Sequence, residues 1–365
     1  MIGFSFLGLA PDHLSGIGRY SVALFEAIVV ILGDTPDQPI VAFVPVGSEH
    51  HFSDAARAYV KPLPLPHNAV ARIAYEQLVF PIVLRRTGVR TLLNASFTGP
   101  LFWGGDMVTV IHDLFYHIVP AMVRSDRRMY LKTLVPPTMR RSRAIIVVSH
   151  NTGRDVARTY PDIADRVVVV PLACRPMSRS ARLETMPSDC AMMVSTITAN
   201  KNPGLFVAAL KLLRTDHNWA CGMIVGNDPE GLAATAIAAH DAAHIVEQRH
   251  HVSDKELTRL YANALAVVIP SYYEGFGLPV LEAQAMGVPV LCSDRGSLPE
   301  VAGDGALFFD PDDPDALAQA IDTVRNDRGT RRRLIDAGTA NVAKYSWERT
   351  ARDTLAVLCA NRKKI

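Results

Sequence analysis

Two hydrophobic periods alternate along this chain. Short runs of consecutive apolar, largely β-branched residues occur at 2–7, 40–44, 90–94, 107–111, 144–148 and 166–170. Runs of this kind read as strands buried on both faces. Between them, apolar residues recur every three or four positions over 16–32, 68–85, 125–141 and 150–159, which predicts helices. The pattern breaks at 173–189, ACRPMSRSARLETMPSD, where Pro, Ser and Arg replace any period, as in a linker. It resumes with strands predicted near 190–195, 220–225, 244–248, 266–270, 288–292 and 306–309. A helical tail over 313–361 follows, its last helix starting near Ser346-Trp347. Two blocks of strand–helix alternation predict two α/β domains, each a parallel sheet with helices on both faces.

The densest chemistry lies in AVVIPSYYEGFGLPVLEAQAMGVPVLC, residues 266–292. It reads as strand, loop, short helix, strand. Pro279 suits a helix start and Gly287 the residue just past a helix end. Ligands in open parallel sheets sit at the carboxyl ends of strands, where this loop falls. Gly275 and Gly277 let the backbone approach a ligand, and the helix start after Leu278 offers N–H groups and positive dipole to a phosphate. Glu282, expected in the first helical turn, is placed to reach a ribose diol. Glu274, in the loop, is placed for a sugar hydroxyl or for positive charge developing at a sugar carbon.

Four further stretches add candidates. Ser15-Gly16-Ile17-Gly18 opens the first helix after the first strand and can seat phosphate or sugar against backbone N–H groups. His112 ends an apolar strand in Ile111-His112-Asp113-Leu114, where an imidazole can bond a sugar hydroxyl or carry a proton. Ser195 to Pro203 runs from a strand end into a helix, and Lys201 in it can neutralise a leaving diphosphate. His251 to Leu257 contains Ser253 or Asp254 as a helix cap.

The string YEGFGLPVLEAQAMGVPVL resembles the Glu-x7-Glu signature of retaining glycosyltransferases of family 4 (glycosyltransferase group 1), and the likeness extends over most of the chain. The resemblance implies the GT-B fold: two Rossmann-like domains facing each other across a cleft, with the final helix crossing back to the first. The domains would be 1–172 plus about 346–365 on the acceptor side, and 190–345 on the donor side. Glu274 would contact the transferred sugar and Glu282 the ribose. Phe276, Gly277 and Leu278 would offer backbone groups to sugar and diphosphate, Gly16 and Ile17 would border diphosphate and acceptor, His112 would contact the sugar, and the backbone near Val252 would border the base. The family often carries an arginine just before the lysine. Here Thr196 and Asn200 occupy the candidate positions, which leaves Lys201 as the only cation of that motif. The likeness is greatest to bacterial mannosyltransferases of surface polysaccharide assembly. It implies transfer of a hexose, mannose from GDP-mannose first, to a glycan or lipid-linked glycan. A UDP-sugar donor, UDP-glucose foremost, and a non-catalytic nucleotide- or sugar-binding protein are the alternatives.

Composition narrows this little further. The 365 residues call for two domains, and 49% hydrophobic with 20% charged residues is globular usage. A net charge of +2 gives no reason to expect nucleic acid as a partner. Five scattered cysteines without a CxxC pair indicate neither a disulfide framework nor a zinc site. No apolar run reaches the ~18 residues of a membrane span, and a strand starts at Ile2, so the expectation is a cytoplasmic chain. The cations Arg124, Arg127, Arg128, Lys132, Arg140, Arg141 and Arg143 make 124–143 a candidate contact with the inner face of the plasma membrane. No cofactor or metal is expected. Asp310-Pro311-Asp312 resembles a DxD metal motif but reads as a strand end before an Asp313-Pro314 helix start, and Ser297 to Glu300 reads as a capping box.

Overall fold

The computed structural model describes residues 1–12, 14–32, 38–66, 68–175, 177, 189–217 and 219–360. Most of the stretch 173–189, expected as a linker, lies outside them. The chain forms two compact units, Met1–Ile118 with Arg124–Leu172 and Ser346–Ile365, and Val119–Val123 with Ala173–Tyr345.

The first unit is built on strands β1 (Ile2–Ser5), β2 (Ile40–Pro45), β3 (Val60–Leu63), β4 (Thr91–Asn94), β5 (Asp106–Ile111), β6 (Ala144–Val147) and β7 (Val167–Val169). They pair in the order β3-β2-β1-β4-β5-β6-β7, all parallel. The direction of winding reverses between β1 and β4, the switch point at which such sheets open a crevice. Phe4 and Phe6, on or just past β1, meet Phe25 of the helix Gly16–Leu32 edge-on at 5.2 and 5.8 Å. Aromatic pairs of this geometry add about 0.5–1.5 kcal/mol each beyond area burial.

Two elements depart from expectation here. β3 has no counterpart among the predicted strands: its sequence, VKPL, carries a lysine and a proline, which an edge strand tolerates and a buried run does not. The helix predicted over 68–85 is three pieces, Ala69–Ala74, a π-turn at Tyr75–Val79 and Phe80–Thr87. Pro81, with no N–H to give, sits at the start of the last piece.

The last helix, Trp347–Cys359, belongs to this first unit, as the resemblance implied. Ser346 caps it by accepting from Arg349 N. Trp347 packs on Tyr20 of the first helix at 6.1 Å between rings, Thr350 Oγ1 donates to Pro171 O at 2.8 Å, and Arg143 Nη2 donates to the carbonyls of Val357 and Leu358. Arg143 thereby takes up carbonyls that a helix end leaves without intrahelical partners.

The second unit holds β8 (Ala191–Val194), β9 (Gly222–Val225), β10 (Val246–Arg249), β11 (Ala266–Ile269), β12 (Val290–Ser293) and β13 (Ala306–Phe309). Their order is β10-β9-β8-β11-β12-β13, again all parallel, with its switch point between β8 and β11. Cys190 and Cys221 form a disulfide, which the scattered cysteines gave no reason to expect. Its cause is the register: Ala191 of β8 is opposite Gly222 of β9, so the two residues ahead of them are neighbours.

Candidate functional site

The switch point of the second sheet gathers most of the expected site. The loop leaving β8 carries Lys201, the loop leaving β11 carries Glu274, and the two meet with Nζ 2.5 Å from Oε1. Ser271 Oγ donates to the same carboxylate oxygen at 2.8 Å. Both charged side chains are largely but not wholly shielded, 21% and 14% exposed, so the pair can still be reached. Asn200 ties the loops together. Its carbonyl accepts from Tyr272 N at 2.8 Å, and its Nδ2 donates to Tyr273 O at 3.2 Å. The Asn200 side chain, expected to face the donor, is thus spent on positioning. Thr196 is exposed on the loop, and Ser195 Oγ, at the end of β8, is buried without a hydrogen-bond partner.

The backbone of Glu274 is gripped from the next loop. Its carbonyl accepts from Ser297 N at 3.1 Å and from Ser297 Oγ at 2.9 Å. Ser297 therefore makes no capping-box bond; the hydroxyl that would cap its own helix is used across the site. Gly296, at φ 60°, lets this loop lie against Glu274: a Cβ there would stand 2.8 Å from Glu274 O.

Gly277, at φ 95°, ends the loop and leads into the helix Leu278–Met286, whose first N–H groups and dipole face the loop as expected. The helix starts at Leu278, not Pro279, so Glu282 is its fifth residue and not in the first turn. Glu282 is 13% exposed, and Tyr261 OH donates to its Oε2 at 2.7 Å. Phe276 is buried with its ring on Tyr345, which leaves only its backbone for a ligand. Val252 is half-buried just before Ser253, which caps the helix Asp254–Asn263 by accepting from Glu256 N.

Arg175 is a cation that sequence reasoning passed over, since it fell inside the aperiodic stretch. Its guanidinium lies 3.3 Å from Asp254 and 3.8 Å from Glu282, while Nε and Nη2 are buried without a hydrogen bond. Beside it, burial, reinforced by the Glu282 charge, pushes the Cys174 thiol up to about 11.

The remaining candidates lie in the first unit. Gly16 begins the first helix, exposed, with no atom within 4 Å of where a Cβ would stand. Packing therefore gives no reason for glycine there, in contrast to Gly18, whose Cβ would crowd Leu9 and Leu14. Ser15 Oγ accepts from Gly18 N, and Ile17 is half-buried. His112 is 8% exposed, stacked edge-on against Tyr20 at 4.9 Å, with Nε2 2.9 Å from Ala95 O. Since a carbonyl only accepts, Nε2 carries the proton and Nδ1 is left as an acceptor. Burial pushes the imidazole down to about 4, so it is neutral at ordinary pH and serves hydrogen bonding, not charge.

Two sets of charges are explained within the fold. Asp310 bonds Arg295 at 3.1 Å, Asp312 accepts from Tyr272 OH at 3.0 Å, and Asp313 caps the helix Pro314–Asn326. Among the described residues no group of three or more His, Cys, Asp or Glu could hold a metal ion. In the basic stretch, Arg124 pairs with Asp126 and Arg140 with Asp162, while Arg141 donates to the Trp103 and Gly105 carbonyls. Among the described residues no helix is long and apolar enough to cross a membrane.

With this geometry in place, comparison with known proteins defines the class. Residues 178–341 match the family Glycosyl transferases group 1, and the chain carries a glycosyltransferase group 1 domain. Its similar curated proteins include the O-antigen chain mannosyltransferase B of Escherichia coli, 29% identical over 68% of each chain. Another is the MMP alpha-(1->4)-mannosyltransferase of Mycolicibacterium hassiacum, 30% identical over 58% of this chain but 53% of that protein's length. Among solved structures, sucrose-phosphate synthase from Thermosynechococcus elongatus superposes with a TM-score of 0.77 at 17% identity, covering 98% of this chain and 97% of that one. WaaG, a glycosyltransferase involved in lipopolysaccharide biosynthesis, gives 0.75 at 14% identity over 99% and 100%. These likenesses establish the fold as GT-B, two units of Rossmann-like type.

Proposed function

We propose that this chain moves a hexose, mannose from GDP-mannose in the first instance, to a hydroxyl of a glycan or lipid-linked glycan, retaining the anomeric configuration and using no metal ion. The observation that carries the reading is Lys201 against Glu274 at the switch point of the second sheet, beside a helix start. Lys201 and the first amides of Leu278–Met286 stabilise the departing diphosphate. Glu274 faces the transferred sugar and Glu282 takes the ribose diol. The bond from the sugar carbon to the diphosphate oxygen breaks, a bond from that carbon to the acceptor oxygen forms, and the acceptor proton passes to the diphosphate. The two mannosyltransferase relatives support the choice of sugar.

The test is incubation of the full chain with GDP-mannose and, separately, UDP-glucose, with nucleotide release and product configuration followed by NMR. GDP release with an α-configured product is expected. Release from UDP-glucose alone would move the donor, an inverted product would remove retention, and nucleotide binding without release would favour a binding protein. A lipid contact at 124–143 rests on the exposed Arg127 and Lys132, since several of its arginines are engaged within the fold. Full recovery of the chain in the supernatant with anionic vesicles at low salt would remove it.

A further inference from the structure

Two helices of the second unit bring polar side chains to one point. Asp254–Asn263 supplies Asp254 at its head and Tyr261 further along, and Leu278–Met286 supplies Glu282. Arg175 lies between them, with Nη1 3.3 Å from Asp254 Oδ2 and Nε 3.8 Å from Glu282 Oε1. Tyr261, fully buried, donates its hydroxyl to the other Glu282 oxygen, Oε2, at 2.7 Å. Glu282 is thus tied to the neighbouring helix twice, directly through Tyr261 and by way of Arg175 to Asp254.

The two ties differ in what they leave open. Tyr261 takes up a lone pair of Oε2. Arg175 stands beyond hydrogen-bond reach of Oε1, so it pulls on the carboxylate through charge and leaves the lone pairs of that oxygen untouched. Nε and Nη2 of Arg175 are buried, and among the described residues neither finds a hydrogen-bond partner. Buried donors without partners cost folding energy, and a position that served packing alone would favour an apolar side chain. The adjacent Cys174 thiol feels both charges: burial raises it to about 11, the Glu282 charge adds to the rise and the Arg175 charge opposes it.

We infer that Arg175 is a positioning residue for nucleotide recognition. Acting through Glu282, it fixes the carboxylate so that Oε1 accepts from the vicinal diol of a bound ribose, and so sets the preference for a ribonucleotide. The inference rests on the ribose role proposed for Glu282 and adds to it the residue that makes that role selective. With Oε2 held by Tyr261 and Oε1 drawn by the guanidinium, the carboxylate has one orientation and one open acceptor. It meets the diol without first losing rotamer freedom. Without Arg175 it keeps Tyr261 alone, turns about that single bond, and loses the preorganisation.

The experiment measures, by calorimetry on the full chain, the binding of GDP and of 2′,3′-dideoxy-GDP, with UDP and its dideoxy counterpart run beside them. The melting temperature of every variant is followed in parallel. The wild type is expected to prefer the ribonucleotide by about tenfold, the effect of hydrogen bonds to a shielded carboxylate. Arg175→Met is expected to cut that preference to about twofold while the dideoxy nucleotide binds as it does to wild type. Arg175→Lys, which keeps the charge, is expected to hold the preference within about threefold of wild type. In Glu282→Ala the preference is already lost, and adding Arg175→Met should remove nothing more, because the two residues act as one unit.

A preference that survives Arg175→Met, equal weakening of both nucleotides by that variant, or a loss in Arg175→Lys as deep as in Arg175→Met would overturn the inference. Should Arg175→Met not fold, Arg175→Gln carries the same comparison. A wild type that binds the ribose and dideoxyribose forms alike would overturn the ribose role of Glu282 and this inference with it. One that binds none of the four nucleotides would overturn the transferase reading on which both rest.

Discussion

Lys201 Nζ stands 2.5 Å from Glu274 Oε1, and the two residues come from loops that leave adjacent parallel strands at the point where the sheet reverses its winding. On the proposed reading the pair sets opposite charges where a nucleotide sugar has opposite needs. The diphosphate needs a cation, and the sugar carbon, as it loses its bond, needs an anion or an oriented hydrogen-bond acceptor. Each side chain also holds the other in place while no substrate is bound.

Glu274→Gln should therefore lower turnover by about 10²-fold or more while shifting nucleotide affinity only severalfold, the signature of an interaction made mainly in the transition state. Steady-state kinetics beside calorimetric nucleotide binding make the comparison. A variant with near-normal turnover would remove Glu274 from the reaction. Melting temperature should be followed in parallel, because the substitution leaves Lys201 partly shielded without its carboxylate.

Glu282→Ala should act on the other parameter. Its carboxylate accepts from Tyr261 OH and stands near Arg175, so removal takes that bond from Tyr261, leaves Arg175 with Asp254, and takes away the proposed ribose acceptor. Nucleoside diphosphate affinity should fall by about 1–3 kcal/mol, the cost of leaving buried polar groups unpaired. Unchanged affinity by calorimetry would contradict the assignment.

Gly296→Ala tests the clamp on Glu274 without touching any candidate reacting group. The new Cβ would press on Glu274 O and N at a backbone angle that L residues rarely adopt. About 1–3 kcal/mol of local strain is expected. Turnover should drop while nucleotide affinity, proposed to rest on the helix start and Glu282, stays within a few fold. Wild-type kinetics in this variant would show that the loop carrying Glu274 needs no such grip.

Metal independence is the fourth expectation. Lys201 and the amides at the head of Leu278–Met286 are proposed to do the work of a divalent ion, and the carboxylates of 310–313 are taken up by Arg295, Tyr272 and a helix cap. Turnover should persist after exhaustive EDTA treatment. Loss of activity on chelation, restored by magnesium or manganese, would reverse the assignment.

What could be read from the chain and what could not divides along physical lines. The strands of both sheets were legible because burial on two faces leaves short apolar runs, and the loop of Glu274 because its glycines, proline and carboxylates are local in sequence. β3 was missed because an edge strand carries no such run, and the π-turn at 75–79 because its spacing differs from a helix by one residue per turn. Ser297, Gly296 and Arg175 lie near the site through contacts that no local period encodes. Glu76 is buried by the fold, and no local pattern in the sequence marks it.

The closing helix has a consequence for how the molecule is made. The first unit lacks one aromatic neighbour of Tyr20, and the donor and acceptor groups that meet Pro171 and Arg143, until Trp347–Cys359 exists. Residues 173–345 are synthesised in between. At ~5–20 residues per second the ribosome holds that unfinished surface open for roughly ten to thirty seconds. The second unit can complete its sheet within that interval, so a segment made after the second unit completes the first.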